Sequence, residues 1–532
     1  MIPRDRAIAM TETTSRSLEW ARELTRAPGE HSIDELINET LYFERQRLRG
    51  EVHSPGKDAD RAFWKGVART FPHASNARQI EILHDIIHRY ADEIIGHFDP
   101  LVFKTLTRYG SGTLSLLLHS MSPLKLAQSV ISPTTLDDAV LVLGEVEQFK
   151  ALSQIGTLVL APTHVSNLDS VVLGFALARL GLPPFLYGAG YNLFQNPLFA
   201  PWLKRLGAYT VDREKRAPLY KNVLKTYANV SMEMGYHHIF FPGGTRARSG
   251  RIERRLKKGL LGCGLQTYES NLRRKAAKPK VFVVPCTLTY QMVLEAETLI
   301  ADHLAEAGKA RYIIIDDESS RLERVTGFLK AALRHQSTVH MWLGPALDPF
   351  GNRVTADGQS VDEHGRPIDP QGYLMRDGVL VHDEQRNEEF TNELSEELTR
   401  IYPRGFVVGS THIVSALLFA MLQEEGPGMD LYRLLRDDQL HTGFQVETVR
   451  PRLARLLAET RRLADLGQLL LDPVVKTGDA DDVLARALVH FSVYHAEPAV
   501  QRRGTRVFVL NRALLYYYRN RLEGYPLGVG HA

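Results

Sequence analysis

Residues 157–181 read TLVLAPTHVSNLDSVVLGFALARLG, and the fold is decided here. Thr157–Ala161 is an apolar run of strand length. It ends at Ala161-Pro162, and His164 follows at the strand exit. A helical pattern begins at about Leu168, with Ser166 or Asn167 placed to cap it and Asp169 in its first turn. On one continuous helix, residues five apart diverge by roughly 140°. Across a strand–turn–helix junction the turn can bring the Asp169 carboxylate back to the His164 imidazole. That arrangement makes a general base held by an orienting acid. Taken alone, His-x4-Asp also describes a polar loop histidine beside a capping aspartate, so the surrounding chain has to decide.

Outward from this stretch, short apolar runs alternate with helical stretches. The runs are 139–143, 157–161, 185–187, 208–211, 238–241, 281–289 and 339–343. Such alternation predicts an α/β domain over 136–350. Residues 1–135 read as a helical N-terminal region. Helices are expected at 31–50, at 76–97, where Ile82, Leu83, Ile86, Ile87 and Tyr90 recur at helical spacing, and at 101–118 beyond the Asp99-Pro100 break. Residues 351–385, rich in Gly, Asp and Pro, read as a loop or hairpin linker. Residues 386–532 read as a helical C-terminal region.

Three further segments bear on the His–Asp pair. GAYTVDR, residues 207–213, puts Arg213 just after a short strand; FFPGGTRARSGR, residues 240–251, puts Thr245, Arg246 and Arg248 in a glycine-rich turn. Backbone N–H groups and guanidinium forks in such a turn suit a phosphate. VVPCTLTY, residues 283–290, is a strand carrying Pro285. This ordered set resembles the glycerolipid acyltransferase family, which shows H-x4-D, G-A-x4-R, F-P-E-G-T-R-S-R-S-G and a V-P strand. The corresponding positions are His164–Asp169, Gly207–Arg213, Phe241–Gly250 and Val284-Pro285. The chain departs from the pattern at Gly243, where the family usually has Glu, while Gly244 is retained.

The resemblance implies a mixed sheet flanked by helices and an O-acyltransferase. His164 and Asp169 would be its catalytic pair, and Arg213, Thr245, Arg246 and Arg248 would hold the acceptor phosphate. Acyl-CoA or acyl-ACP would be the acyl thioester donor, used as a co-substrate with no cofactor. The acceptor would be a glycerol phosphate, with glycerol 3-phosphate acylated at its sn-1 hydroxyl in phospholipid biosynthesis. The long helical flanks resemble the larger glycerol-3-phosphate enzymes. A lysophosphatidate or other lysolipid acceptor stays open. So does a non-catalytic lipid-binding membrane protein with the same fold, which Gly243 favours and the intact His–Asp pair disfavours.

Composition narrows the alternatives. The 532 residues carry 65 basic and 62 acidic side chains, a net charge of +3, so the molecule as a whole is no polycation. With no nucleic-acid motif, DNA or RNA binding is not expected. The two cysteines, Cys263 and Cys286, lack ligand spacing, so neither a metal site nor a disulfide framework is expected. His84 and His88 lie four apart but bring no third ligand. No secretory signal and no transmembrane run are read from the sequence. The expected location is therefore cytoplasmic and peripheral, on the inner face of the cell membrane. The aromatic-basic stretch 191–206 and the basic clusters at 246–259 and 271–280 would meet an anionic membrane surface.

Overall fold

Every apolar run picked out between residues 139 and 343 belongs to one sheet. The computed structural model describes residues 1–24, 32–49, 55–103, 139–191, 205–307, 338–437, 440, 442–492, 495 and 497–528. The expected helix at 101–118 and the interfacial stretch 191–206 fall largely outside them.

The strands are β1 (Val140–Gly144), β2 (Thr157–Pro162), β3 (Leu186–Gly190), β4 (Ala208–Val211), β5 (His238–Ile239), β6 (Val281–Tyr290) and β7 (Val339–Leu343). They run in the order β1-β7-β6-β2-β5-β3-β4. β7 is antiparallel to β6, and β1 pairs with β7 in parallel; the other pairings are parallel. β2 lies against β6 from Thr157↔Val281 to Pro162↔Cys286. Pro285 is tolerated in this central strand because β7 pairs only from Cys286 onward, while Val283 bridges Leu347.

Period-two alternation sends β2 and β6 into two cores. Leu158, Leu160, Phe282, Val284 and Leu288 face one, and Val159, Ala161, Val281 and Val283 face the other. The N-terminal helices α1 (Pro3–Leu24), α2 (Ile33–Arg49), α3 (Pro55–Thr70) and α4 (Asn76–Ile94) contribute to the second core. α7 (Pro218–Glu233) and α8 (Cys263–Arg273) join them there. The first core takes α5 (Val146–Ile155), α6 (Asp169–Arg179) and α9 (Ala296–Ala307). α11 (Ser410–Glu425), α12 (Val446–Asp465), α13 (Ala480–Phe491) and α14 (Arg512–Arg519) complete it, and α10 (Glu384–Ile401) packs in the second. The helical flanks thus share their cores with the sheet instead of folding as separate units.

The 351–385 stretch is built of two-residue strands: a three-stranded meander of β8 (Arg353–Val354), β9 (Ser360–Val361) and β10 (Pro367–Ile368), then a hairpin of β11 (Met375–Arg376) and β12 (Val379–Leu380). The helical C-terminal region also holds strands that the sequence reading did not anticipate. β13 (Val407–Val408) pairs with β15 (Leu470–Leu471), and β14 (Gly443–Gln445) pairs with the hairpin of β16 (Val500–Arg503) and β17 (Arg506–Val509). Two-to-four-residue strands are too short for alternation to be legible.

Candidate active site

The carboxyl end of β2 opens a site of the kind parallel strands favour. His164 leaves the strand and α6 begins at Asp169, so the turn between them folds the carboxylate back. His164 Nδ1 lies 2.9 Å from Asp169 Oδ2. The same oxygen accepts the Val165 and Ser166 backbone N–H groups at 2.7 and 3.1 Å. Tyr290 Oη donates to Asp169 Oδ1 at 2.7 Å. Asp169 is fully buried, and its Oδ2 collects two backbone N–H groups beside the imidazole. With Nδ1–H directed at this carboxylate acceptor, the Nε2 lone pair is free to accept a proton. Phe241 lies against the ring, with centroids 4.4 Å apart.

The expected side-chain cap does not form. Leu168 is the N-cap without a side-chain hydrogen bond, and Asp169 is the first helical residue. The Ser166 hydroxyl instead accepts the Leu168 N–H at 3.1 Å and donates to Glu295 Oε2 at 2.8 Å. Glu295 Oε1 takes the Asn167 N–H at 3.0 Å. The N–H groups of 165–168 are thus all committed to protein acceptors.

The chain after β5 closes over His164. The Ala247 N–H donates to the His164 carbonyl at 2.8 Å, and the His164 N–H donates to Glu253 Oε1 at 2.6 Å. Burial, only partly offset by that bond and by Arg521, pushes the Glu253 carboxyl up to about 7. This loop is docked on the C-terminal helix: the Asn520 amide donates to the Ser249 carbonyl at 2.8 Å, and Arg251 pairs with Glu523. Gly250 has φ +81°, and a Cβ there would sit 2.2 Å from the Tyr517 carbonyl oxygen, so only glycine fits.

His164 opens on a cavity of about 460 Å³ lined by Tyr187, Tyr209, Tyr220, Leu224 and Phe240 together with Arg213, Lys215 and Gly244. Of the four side chains expected at a phosphate, Arg213 alone borders this cavity. Its side chain is packed among protein on one part and keeps solvent access on another, and it has no carboxylate partner among the described residues. Burial of the group comes first, then the charges of Arg246 and Arg248, in pulling its pKa below the ordinary value. The three guanidiniums are therefore near enough to repel one another. Arg246 lies 3.7 Å from the buried Glu295, and Arg248 pairs with Glu306. Thr245 lies between Gly244 and Arg246 in the turn. Gly207 precedes β4, whose end places Arg213. Lys215 pairs with Glu93 of α4, which ties that turn to the N-terminal helices.

Sequence reading missed Tyr290, Glu253 and Glu295. A signal existed for Glu253 alone, as the single acid in the basic run 246–259. Among the described residues no cluster of potential metal ligands occurs, and His84 and His88 are two exposed rings with centroids 6.2 Å apart.

Residues 145–289 match the family model described as Acyltransferase. The chain is 31% identical over 351 residues to the glycerol-3-phosphate acyltransferase of Pseudomonas paraeruginosa (strain DSM 24068 / PA7), a match taking in 64% of this chain and 38% of that protein. It is 33% identical over 186 residues to the protein of that name from Ectopseudomonas mendocina (strain ymp), covering 35% of this chain and 21% of the other. The chain thus matches under two fifths of the length of these curated relatives. The solved 1-acyl-sn-glycerophosphate acyltransferase PlsC from Thermotoga maritima is 14% identical with a TM-score of 0.26, covering 56% of this chain and 93% of that one. The resemblance carried by the four motifs is thus matched by sequence comparison, in which residues 145–289 of the chain fit an acyltransferase family model.

Proposed function

We propose that the protein transfers a fatty acyl group from an acyl thioester to a hydroxyl of a glycerol phosphate, glycerol 3-phosphate at sn-1 being the first choice. The observation that carries this reading is the His164–Asp169 contact at 2.9 Å beside a cavity that also holds Arg213. His164 Nε2 takes the proton of the acceptor hydroxyl, and the oxygen attacks the thioester carbonyl directly, with no acyl-enzyme. The tetrahedral oxyanion collapses, the carbon–sulfur bond breaks, and the thiolate takes the proton back from the imidazolium. Asp169 stabilises the imidazolium between these steps.

Arg213 is the first candidate for the acceptor phosphate, because Arg246 and Arg248 already face carboxylates. Arg246, Arg248 and Thr245 would add to the positive edge of that subsite. With the N–H groups of 165–168 engaged, the Gly243–Thr245 turn is the better source of oxyanion donors. The tyrosine- and leucine-lined cavity suits an acyl chain. The donor carrier is coenzyme A or acyl carrier protein, and no cofactor is required. The enzyme would work as a peripheral protein on an anionic inner membrane face. In support, no helix among the described residues is long and apolar enough to cross a bilayer.

The test is thiol release from acyl-CoA and from acyl-ACP, with glycerol 3-phosphate, lysophosphatidate or no acceptor. Release that depends on glycerol 3-phosphate, and falls about 1,000-fold in His164→Ala with the circular dichroism unchanged, is the expected result. Near-normal turnover in that variant would end the base assignment, and preference for lysophosphatidate would move the acceptor.

A further inference from the structure

Between Arg246 and Lys258 the chain carries seven basic residues and one acid, Glu253. That acid does not serve the surface charge. Its Oε1 receives the His164 backbone N–H at 2.6 Å, and its Oε2 is enclosed with no hydrogen-bonding partner among the described residues. A Cβ placed on Gly243 would stand 3.0 Å from Glu253 Cγ and 3.3 Å from Oε1. The space a side chain at 243 would grow into is thus filled by a carboxylate arriving from ten residues further along. Glu253 borders a separate cavity of about 480 Å³, with Ile252, Pro403 and Tyr525, which shares no lining residue with the one beside His164. It therefore reaches the site through the His164 backbone N–H and not by lining the cavity beside His164.

Resting on the function proposed above, we infer that Glu253 is a positioning residue that supplies the carboxylate missing at Gly243. Anchored by Arg251 and Arg254 to Glu523, the segment carries this acid to the strand exit and fixes the height of His164 in the cavity. Gly243 and Glu253 form a matched pair, because the bare backbone at 243 makes the room that Glu253 uses.

The experiment combines Glu253→Ala with restoration at 243. Glu253→Ala is expected to lower kcat about 100-fold, with each KM changed less than about 3-fold, since substrate contacts are untouched. Glu253→Gln keeps an acceptor for the His164 N–H and should stay within about 5-fold of the parent. The double variant Gly243→Glu/Glu253→Ala should regain at least about 10-fold of the loss, while Gly243→Ala/Glu253→Ala regains none. A second readout needs no substrate. In protein labelled with 15N-histidine, the His164 amide proton should move upfield in Glu253→Ala and return in Gly243→Glu/Glu253→Ala. Full activity with an unmoved amide in Glu253→Ala, or no recovery of either signal in the double variant, overturns the inference. Parent protein with no acyl transfer, but the same amide response, defeats the proposed function and leaves the positioning intact.

Discussion

Asp169 is the most heavily used side chain at the site, and its chemistry explains why it has to be aspartate. One oxygen collects the imidazole and two backbone N–H groups, and the other takes the Tyr290 hydroxyl. Asparagine would turn an N–H donor toward some of these donors. Asp169→Asn should cost about 3 kcal/mol of stability and lower kcat about 1,000-fold, read by denaturant titration and the thiol assay. Tyr290→Phe removes one bond and leaves one lone pair unfilled, so a loss of about 1–2 kcal/mol and a smaller kcat effect are expected.

At the same scale Glu253 is held at a cost. Its folded-state pKa of about 7 lies above its ordinary 4.5. Its stabilising share is therefore complete below about pH 4.5 and lost as pH rises through 7. Glu253→Gln should show less loss of stability than the parent between about pH 5 and about pH 8, by on the order of 2 kcal/mol. Equal pH dependence in parent and variant would refute this placement of its titration.

Among the elements, the loop after β5 decides whether the His–Asp pair is organised. It grips both backbone groups of His164 from Ala247 and Glu253, and it rests on α14 through Gly250 and Ser249. Gly250→Ala forces a Cβ toward the Tyr517 carbonyl at a positive φ, which should cost about 2–4 kcal/mol, localised to the loop. Hydrogen exchange across 242–257 should rise and kcat should fall, while the central strands stay protected. Unchanged exchange there would show that the loop does not depend on this contact.

For the whole molecule, the direction of β6 separates the two basic clusters. Residues 271–280 precede β6, at the end of the sheet opposite His164, and Arg273 and Arg274 face Glu269 and Glu233. Residues 246–259 lie at the His164 end, with Arg254, Arg255, Lys257 and Lys258 exposed on an irregular segment instead of a helix face. If the protein works on an anionic surface, the second group should face it. Changing Arg254, Arg255 and Lys258 to Gln should weaken binding to anionic vesicles about 100-fold, an effect that shrinks with salt. The same change at Arg273, Arg274 and Lys275 should alter it less than about 3-fold. Equal effects would reject this orientation.

What the sequence determined by itself was local or periodic. The strands from 139 to 343 and the helices over 33–49 and 76–94 follow from apolar spacing, and the His164–Asp169 contact from a five-residue turn. The tertiary structure alone decided what holds that pair. Tyr290, Glu253 and Glu295 reach the 164–169 turn from 121, 89 and 129 residues away. A buried carboxylate is recruited by whichever unmatched N–H lies beside it after the sheet has closed, and pairing across such separations leaves no pattern in the chain.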